Sequence, residues 1–250
     1  RSETRSVKVK MREINIRVYD KTSNLKAQIL YAHGGGFIMG GLESHDEICA
    51  DISNLTGYKV TAVNYRLSPE NPHPAAFEDV LEVYKSLNKA IPVIGVGDSA
   101  GGTLIAMLAH KLKQTAGSLM GQVLIYPYLG GNMESGSYLK HADAPGLTLN
   151  DMKFYINCWQ NTQDTFENLP LKESDFSELP TTVVFTASED PLNSGGKIYV
   201  KKINAFNGNA VHIEGEGLVH GFLRARNDVS KARYAFKKII EAIKSLTFAE

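Results

Sequence analysis

Short apolar runs and longer amphipathic stretches alternate along this chain. Val7, Val9 and Met11 alternate with polar residues, and Ile14, Ile16 and Val18 do so in the opposite phase. The slip at Arg12 and Glu13 predicts a bulge, or a turn between two antiparallel strands, because a one-residue shift sends every side chain to the other face. Gln28 to Ala32 reads as a buried strand. Glu47 to Leu55 carries apolar residues at helical spacing and stops at Gly57, a helix-ending residue. Lys59 to Tyr65 is a predicted strand, and Ala75 to Leu87 a helix with Phe77, Val80, Leu81 and Tyr84 on one face. Further strands are predicted over Ile91 to Val96, Gln122 to Tyr126, Thr181 to Ala187 and Ala210 to Ile213. Helices follow over Thr103 to Lys113, Gly196 to Phe206 and Val229 to Leu246.

Strands in alternation with helices predict an α/β fold, a mostly parallel sheet with helices on both faces and antiparallel strands at its N-terminal edge. No repeat, low-complexity tract or linker breaks the rhythm, so one domain is expected over residues 1–250. The exception is about 127–180, which holds the only Trp, Trp159, beside Met152, Phe154, Tyr155 and Ile156. It reads either as a cap or pocket insertion over the strand ends or as an ordinary extra helix packed on the domain.

Composition narrows the partners. A chain of 250 residues can bury roughly 70–75% of its unfolded surface and needs neither disulfide nor metal to fold. The 27 basic and 27 acidic residues balance, which argues against nucleic acid or an anionic membrane surface as a partner. No window reaches the ~18 consecutive apolar residues of a membrane span. Arg1 to Lys10 lacks the apolar core of a secretory signal, and the missing initiating Met leaves room for a native start upstream. Cys49 and Cys158 are expected to be free and buried. A cytoplasmic location is the default, and a homodimer is allowed without being required.

The chemistry concentrates at Gly97-Asp98-Ser99-Ala100-Gly101-Gly102, between a strand and a helix. A Ser at the centre of G-x-S-x-G on such a turn is a nucleophile elbow, with the free amides of the following helix aimed at any charge that develops there. Gly95, Gly97 and Ala100 also fit the dinucleotide fingerprint G-x-G-x-x-G/A. That fingerprint needs an acidic residue about 20 positions on, and none occurs between Asp98 and Glu134. A Ser hydroxyl needs a base, and the base needs an orienting acid. His220 lies after the last predicted strand, flanked by Gly217 and Gly221, and is the preferred base among seven histidines. His212 reads as structural. Asp190 stands where the 181–187 strand runs out, ahead of Pro191 and Leu192, with Glu189 as the fallback; taken alone it is also an ordinary helix N-terminal acid. Gly35 and Gly36 in His33-Gly34-Gly35-Gly36, with Ala100, offer bare amides for a developing oxyanion. His45-Asp46-Glu47 lack metal-ligand spacing and read as a solvated helix start. No metal or cofactor is called for.

His33 to Phe37, Tyr65 to Ala76 with Asp79, Gly97 to Gly102, Asp190-Pro191-Leu192 and His220-Gly221-Phe222 together resemble the hormone-sensitive-lipase-like esterases of the α/β-hydrolases, from about Ala32 to Leu223. The resemblance implies Ser99 as nucleophile, Asp190 as acid, His220 as base, and Gly35, Gly36 and Ala100 as oxyanion hole. It further implies that His33 braces the glycine loop and that Glu70 helps to fix the loop near the site. Family members carry N-terminal helices that form part of a cap; here the 32 residues ahead of His33 read as strands, so a reduced cap is expected. The expected activity is hydrolysis of small-molecule, short-chain acyl esters through an acyl-enzyme. Phe37, Leu192, Phe222 and the apolar residues around Trp159 are candidate pocket walls. The alternatives are an amide or acetyl-group hydrolase of the same fold, or a non-catalytic small-molecule receptor.

Overall fold

The computed structural model describes residues 2–9, 12–20, 26–113, 115, 117–160 and 169–247. Met11 of the predicted alternation and 161–168 of the predicted insertion lie outside the described residues. Eight strands form one sheet in the order β1-β2-β4-β3-β5-β6-β7-β8. β1 (Ser2–Val9) and β2 (Arg12–Tyr19) pair antiparallel with Val7 opposite Ile14, so the phase slip in the sequence marks the change from one strand to the next. β2 pairs antiparallel with β4 (Lys59–Val63). From β4 through β3 (Gln28–Ala32), β5 (Val93–Asp98), β6 (Gly121–Ile125), β7 (Thr181–Glu189) and β8 (Ala210–Val219) every pairing is parallel.

The inner parallel strands β3, β5 and β6 are buried on both faces, and alternate side chains feed two cores. Leu30, Leu124 and Val184 pack with α2 (Ala75–Ser86), α3 (Ala100–Leu112) and α6 (Asn193–Ala205), through Val80, Leu104 and Tyr199. Ile29, Ile125 and Phe185 point the other way, onto α1 (Asp46–Thr56) and α7 (Ser230–Ser245), through Ile52 and Ile239. Period-two alternation within each strand is what lets one sheet serve both layers. The 127–180 stretch contributes α4 (Ser137–Lys140) and α5 (Leu149–Trp159), the latter opened by a capping box between Thr148 and Asp151. No helix among the described residues is long and apolar enough to cross a membrane.

Register positions the chemistry. Ala32 pairs with Gly97, Asp98 with Ile125, and Glu189 with Val219. The carboxyl ends of β3, β5, β6, β7 and β8 therefore finish along one edge, and the residues just past them share one crevice. The chain runs from β3 to β4 on one side and from β5 outward on the other, so that crevice opens at the switch point between β3 and β5, the usual place for a ligand in such sheets.

Three expectations need correcting. The last strand continues to Val219 rather than ending at Ile213, because the pairing of Glu214 and Gly215 with β7, resumed at Val219, overrides their low strand propensity. Cys158 is only partly buried, whereas Cys49 is fully enclosed. His45 is no solvated helix start: it is 2% exposed, behind the crevice.

His110 on α3 carries a stability prediction. Its ring meets Phe176 edge-on at 5.2 Å, and neither nitrogen has a hydrogen-bond partner among the described residues. Burial, with Lys113 nearby, lowers its pKa from 6.5 to about 4. The unfolded chain then binds a proton between about pH 6.5 and 4 that the folded chain refuses, so stability falls as the pH drops through that window, by roughly 3 kcal/mol from this group. His110→Leu is expected to flatten the decline in the urea midpoint between pH 7 and pH 4.5. An unchanged decline would show that His110 does not carry it.

Candidate active site

Ser99 sits between β5 and α3 with φ 50° and ψ −120°, a left-handed conformation that a non-glycine residue adopts only under constraint. The constraint is visible: its amide donates to the Ile125 carbonyl (2.9 Å), and its carbonyl accepts from Thr103 N–H (3.1 Å) one turn into α3. The turn thrusts the hydroxyl into the crevice. There His220 Nε2 lies 2.9 Å from Ser99 Oγ, and His220 Nδ1 lies 2.8 Å from Asp190 Oδ2. Asp190 is fully buried, and its other oxygen accepts the Leu192 N–H at 2.9 Å, so the carboxylate is held at both ends. The proximity of Asp190 and His220 follows from the Glu189–Val219 pairing one residue earlier on each strand. The Tyr126 ring stands 4.7 Å from the imidazole and limits its swing.

Opposite the hydroxyl lies the glycine loop. Gly35 (φ 132°) and Gly36 (φ 60°) need the freedom of glycine, and a Cβ on Gly36 would meet the Tyr155 ring at 2.7 Å. The loop closes through Ile38 and Met39 N–H donating to the Gly35 carbonyl. Ala100 opens α3, where an amide has no acceptor one turn back. The Gly35, Gly36 and Ala100 N–H groups, with no hydrogen-bond acceptor among the described residues, flank one hydroxyl on two sides, an arrangement suited to an anion.

These residues border a cavity of about 290 Å³. Phe37 and Leu192 line it, with Tyr128, Leu147, Met152, Tyr155 and Ile156, the last three from α5. Trp159 stands behind Phe37, stacked at 4.0 Å, rather than in the wall. Phe222 is not part of the lining. It is turned away beneath Tyr126, edge-on at 5.0 Å, in the core beside α7. Glu70 is exposed and outside the lining; the nearby loop is tied instead by Asp79, which accepts Arg66 N–H (2.9 Å) and its guanidinium (3.0 Å) and also pairs with Arg12. His33 does sit in the loop, with Nδ1 2.8 Å from the Gly34 carbonyl and its ring stacked on Tyr65 at 4.1 Å. Burial lowers its pKa to about 4, so it is neutral at neutral pH. His212 meets the Thr186 hydroxyl at 2.8 Å, remote from the cavity.

Sequence reasoning missed Asp98, Tyr126, Met39 and Arg224, all in the lining. Asp98 had a legible signal, an acid directly before the candidate nucleophile. Met39 follows Phe37 in the glycine loop and was overlooked beside it; Tyr126 and Arg224 had no signal, because only the end of β6 and the turn after His220 bring them to the crevice.

Comparison with known proteins bears on the family and the fold. A family model described as the α/β-hydrolase fold matches residues 29–224. Esterase LipI of Mycobacterium tuberculosis is 30% identical over 230 residues, 86% of this chain and 72% of that protein. The ethyl acetate hydrolase of Pseudomonas putida is 28% identical over 232 residues, 87% and 72% of the two. The solved esterase of Pyrobaculum calidifontis superimposes with a TM-score of 0.91 at 30% identity, over 100% of this chain and 87% of that one.

The glycine loop can be tested directly. Gly36→Ala forces a left-handed backbone and a collision with Tyr155, and is expected to slow labelling of Ser99 by a fluorophosphonate probe about 100-fold while cooperative unfolding is retained. Labelling at the parent rate would remove the loop amides from any role in binding developing charge.

Proposed function

The chain belongs to the α/β-hydrolase family that contains the hormone-sensitive-lipase-like esterases, and on that premise we propose that it is a serine carboxylesterase for short-chain acyl esters. The observation that carries the reading is the continuous hydrogen-bonded line from Asp190 through His220 to Ser99, with Gly35, Gly36 and Ala100 lining the same cavity.

In the proposed reaction His220 Nε2 takes the Ser99 proton as Oγ attacks the ester carbonyl. Asp190 holds the ring in the tautomer with Nδ1–H and stabilises the imidazolium that forms. The carbonyl oxygen gains negative charge and is met by the amides of Gly35, Gly36 and Ala100. His220 then protonates the departing alkoxide, and the acyl group remains on Ser99. Water, deprotonated by the same imidazole, attacks the acyl-enzyme; collapse of that second tetrahedral species frees the acid and returns the proton to Ser99.

Substrate size follows from the walls. A cavity of about 290 Å³ closed by Phe37, Leu147, Met152, Ile156 and Leu192 favours an uncharged acyl group of a few carbons. The 127–180 segment acts as the cap in this reading, because α5 supplies three of the apolar side chains. The name of the Pseudomonas relative, an ethyl acetate hydrolase, points the same way.

Two measurements test the reading. Ser99→Ala is expected to lower kcat toward 4-nitrophenyl acetate by more than about 1000-fold; activity within a few-fold of the parent would exclude Ser99 as nucleophile. Across 4-nitrophenyl esters, kcat/KM is expected to peak between acetyl and hexanoyl and to fall at least about tenfold by dodecanoyl, since the surplus methylenes find no cavity to enter. A flat or rising profile would refute the short-chain assignment.

A further inference from the structure

Behind Ser99 lies a second buried carboxylate that the proposed reaction does not use. Asp98 is 5% exposed and closes β5. Its Oδ1 accepts the Tyr31 hydroxyl at 2.7 Å and the Gly34 N–H at 2.9 Å. Its Oδ2 faces the Tyr126 hydroxyl at 3.5 Å and His45 Nε2 at 3.4 Å. His45 is in turn held by Ser44 Oγ, 2.8 Å from its Nδ1. Cys49, His33 and Tyr65 complete the surroundings. The fit against Gly34 is so close that a Cβ there would collide with the Asp98 carboxylate.

We propose that Asp98 is the positioning residue of the glycine loop: by gripping the Gly34 amide it sets Gly35 and Gly36 at a fixed place relative to Ser99, its own neighbour in the chain. The assignment rests on the carboxylesterase reading above and adds a division of labour between two carboxylates. Asp190 orients the base from β7; Asp98 orients the oxyanion donors from β5. Strand pairing alone stops short of this. The β3–β5 ladder ends at Ala32 and Gly97, and the loop beyond it has positive φ at Gly35 and Gly36, so it needs a separate anchor. A charged acceptor is suited to the task, because hydrogen bonds to a carboxylate are about twice as strong as neutral ones.

The sign of the effect separates this role from its rivals. A buried negative charge beside a developing oxyanion is unfavourable by Coulomb's law, so if Asp98 acted only through its charge, neutralising it would raise kcat. A merely structural role would lower stability while leaving the kinetics of the folded fraction unchanged. Positioning lowers kcat with KM preserved, because the amides matter most when charge has developed.

The experiment is Asp98→Asn, near-isosteric, assayed with 4-nitrophenyl acetate at matched folded concentration and titrated with a fluorophosphonate probe. The expected result is a kcat lower by about 10- to 100-fold, KM within about threefold, and a matching drop in the labelling rate. A kcat equal to or above that of the parent, in a parent that is itself active, overturns the assignment and leaves the esterase reading intact. An inactive, unlabelled parent overturns the esterase reading itself. Tyr31→Phe serves as a second variant should Asp98→Asn not fold. It removes one hydrogen bond from the same oxygen, and a severalfold loss in kcat at constant KM is expected; unchanged kcat there also overturns the proposal.

Discussion

The backbone of Ser99 is held where an L-residue resists going, and the site depends on that constraint. Such a conformation costs about 1–3 kcal/mol. The force that maintains it is burial on either side. β5 is the central strand, paired with β3 and β6, and α3 packs across it with Leu104, Ile105 and Leu108 wholly enclosed. Each such side chain contributes about 1.5–3 kcal/mol relative to exposure, so the packing of one helix exceeds the cost of one strained residue. The Thr103 hydroxyl, 2.5 Å from the Tyr128 carbonyl, ties α3 to the segment after β6 and keeps the turn from relaxing outward. A relaxed turn would withdraw the hydroxyl from His220 and the Ala100 amide from the glycine loop in one movement.

The remaining parts reach Ser99 by ladder register, which makes the site robust to surface sequence and sensitive to slips in pairing. Asp190 and His220 come from β7 and β8, whose pairing continues past an irregularity between Ala187 and Glu189 to join Glu189 with Val219. Without that adjustment the two strands would not finish level. Both sides of the pair are then anchored locally. The Ser137 hydroxyl donates to the Pro191 carbonyl at 2.6 Å and accepts the Ser194 N–H at 2.9 Å, so the short helix α4 grips the acid-bearing turn. The same segment that walls the cavity thus also holds the acid.

The fold was largely legible in the sequence, because its inner strands are buried on both faces and helices such as α1, α2 and α7 on one. Those patterns are set by burial, and burial also drives the architecture. The motif order singled out Ser99, Asp190 and His220, and the structure sets His220 within hydrogen-bonding distance of both the others. Legibility failed where contact, rather than periodicity, decides. Glu214 and Gly215 have poor strand propensity, yet pair with β7. Phe222 closely follows His220 in sequence, but the left-handed Gly221 (φ 78°) turns the chain and sends that ring into the core under Tyr126. His45 reads as surface in a run of polar residues, whereas folding sets it against Asp98. Glu70 and Asp79 illustrate the same limit: both carboxylates stand near the loop in sequence, and only the three-dimensional reach of Arg66 and Arg12 shows which one holds it.

Burying Asp98 has a cost, and the way that cost is met says what the cluster is for. Burial alone would push its pKa upward, but His45, the Tyr31 hydroxyl and His33 outweigh it and hold the value at about 2. The carboxylate is therefore ionised at neutral pH, while burial keeps His33 neutral and the hydroxyls of Tyr31, Tyr65 and Tyr126 protonated. A core built for stability alone would place apolar side chains here, since a buried ion returns little against its desolvation. Here the surrounding donors serve one fixed acceptor, and that acceptor bonds the first amide of the loop facing Ser99. The arrangement exchanges stability for a donor geometry that needs no reorganisation when charge develops, which is the condition under which hydrogen bonds contribute most to a reaction.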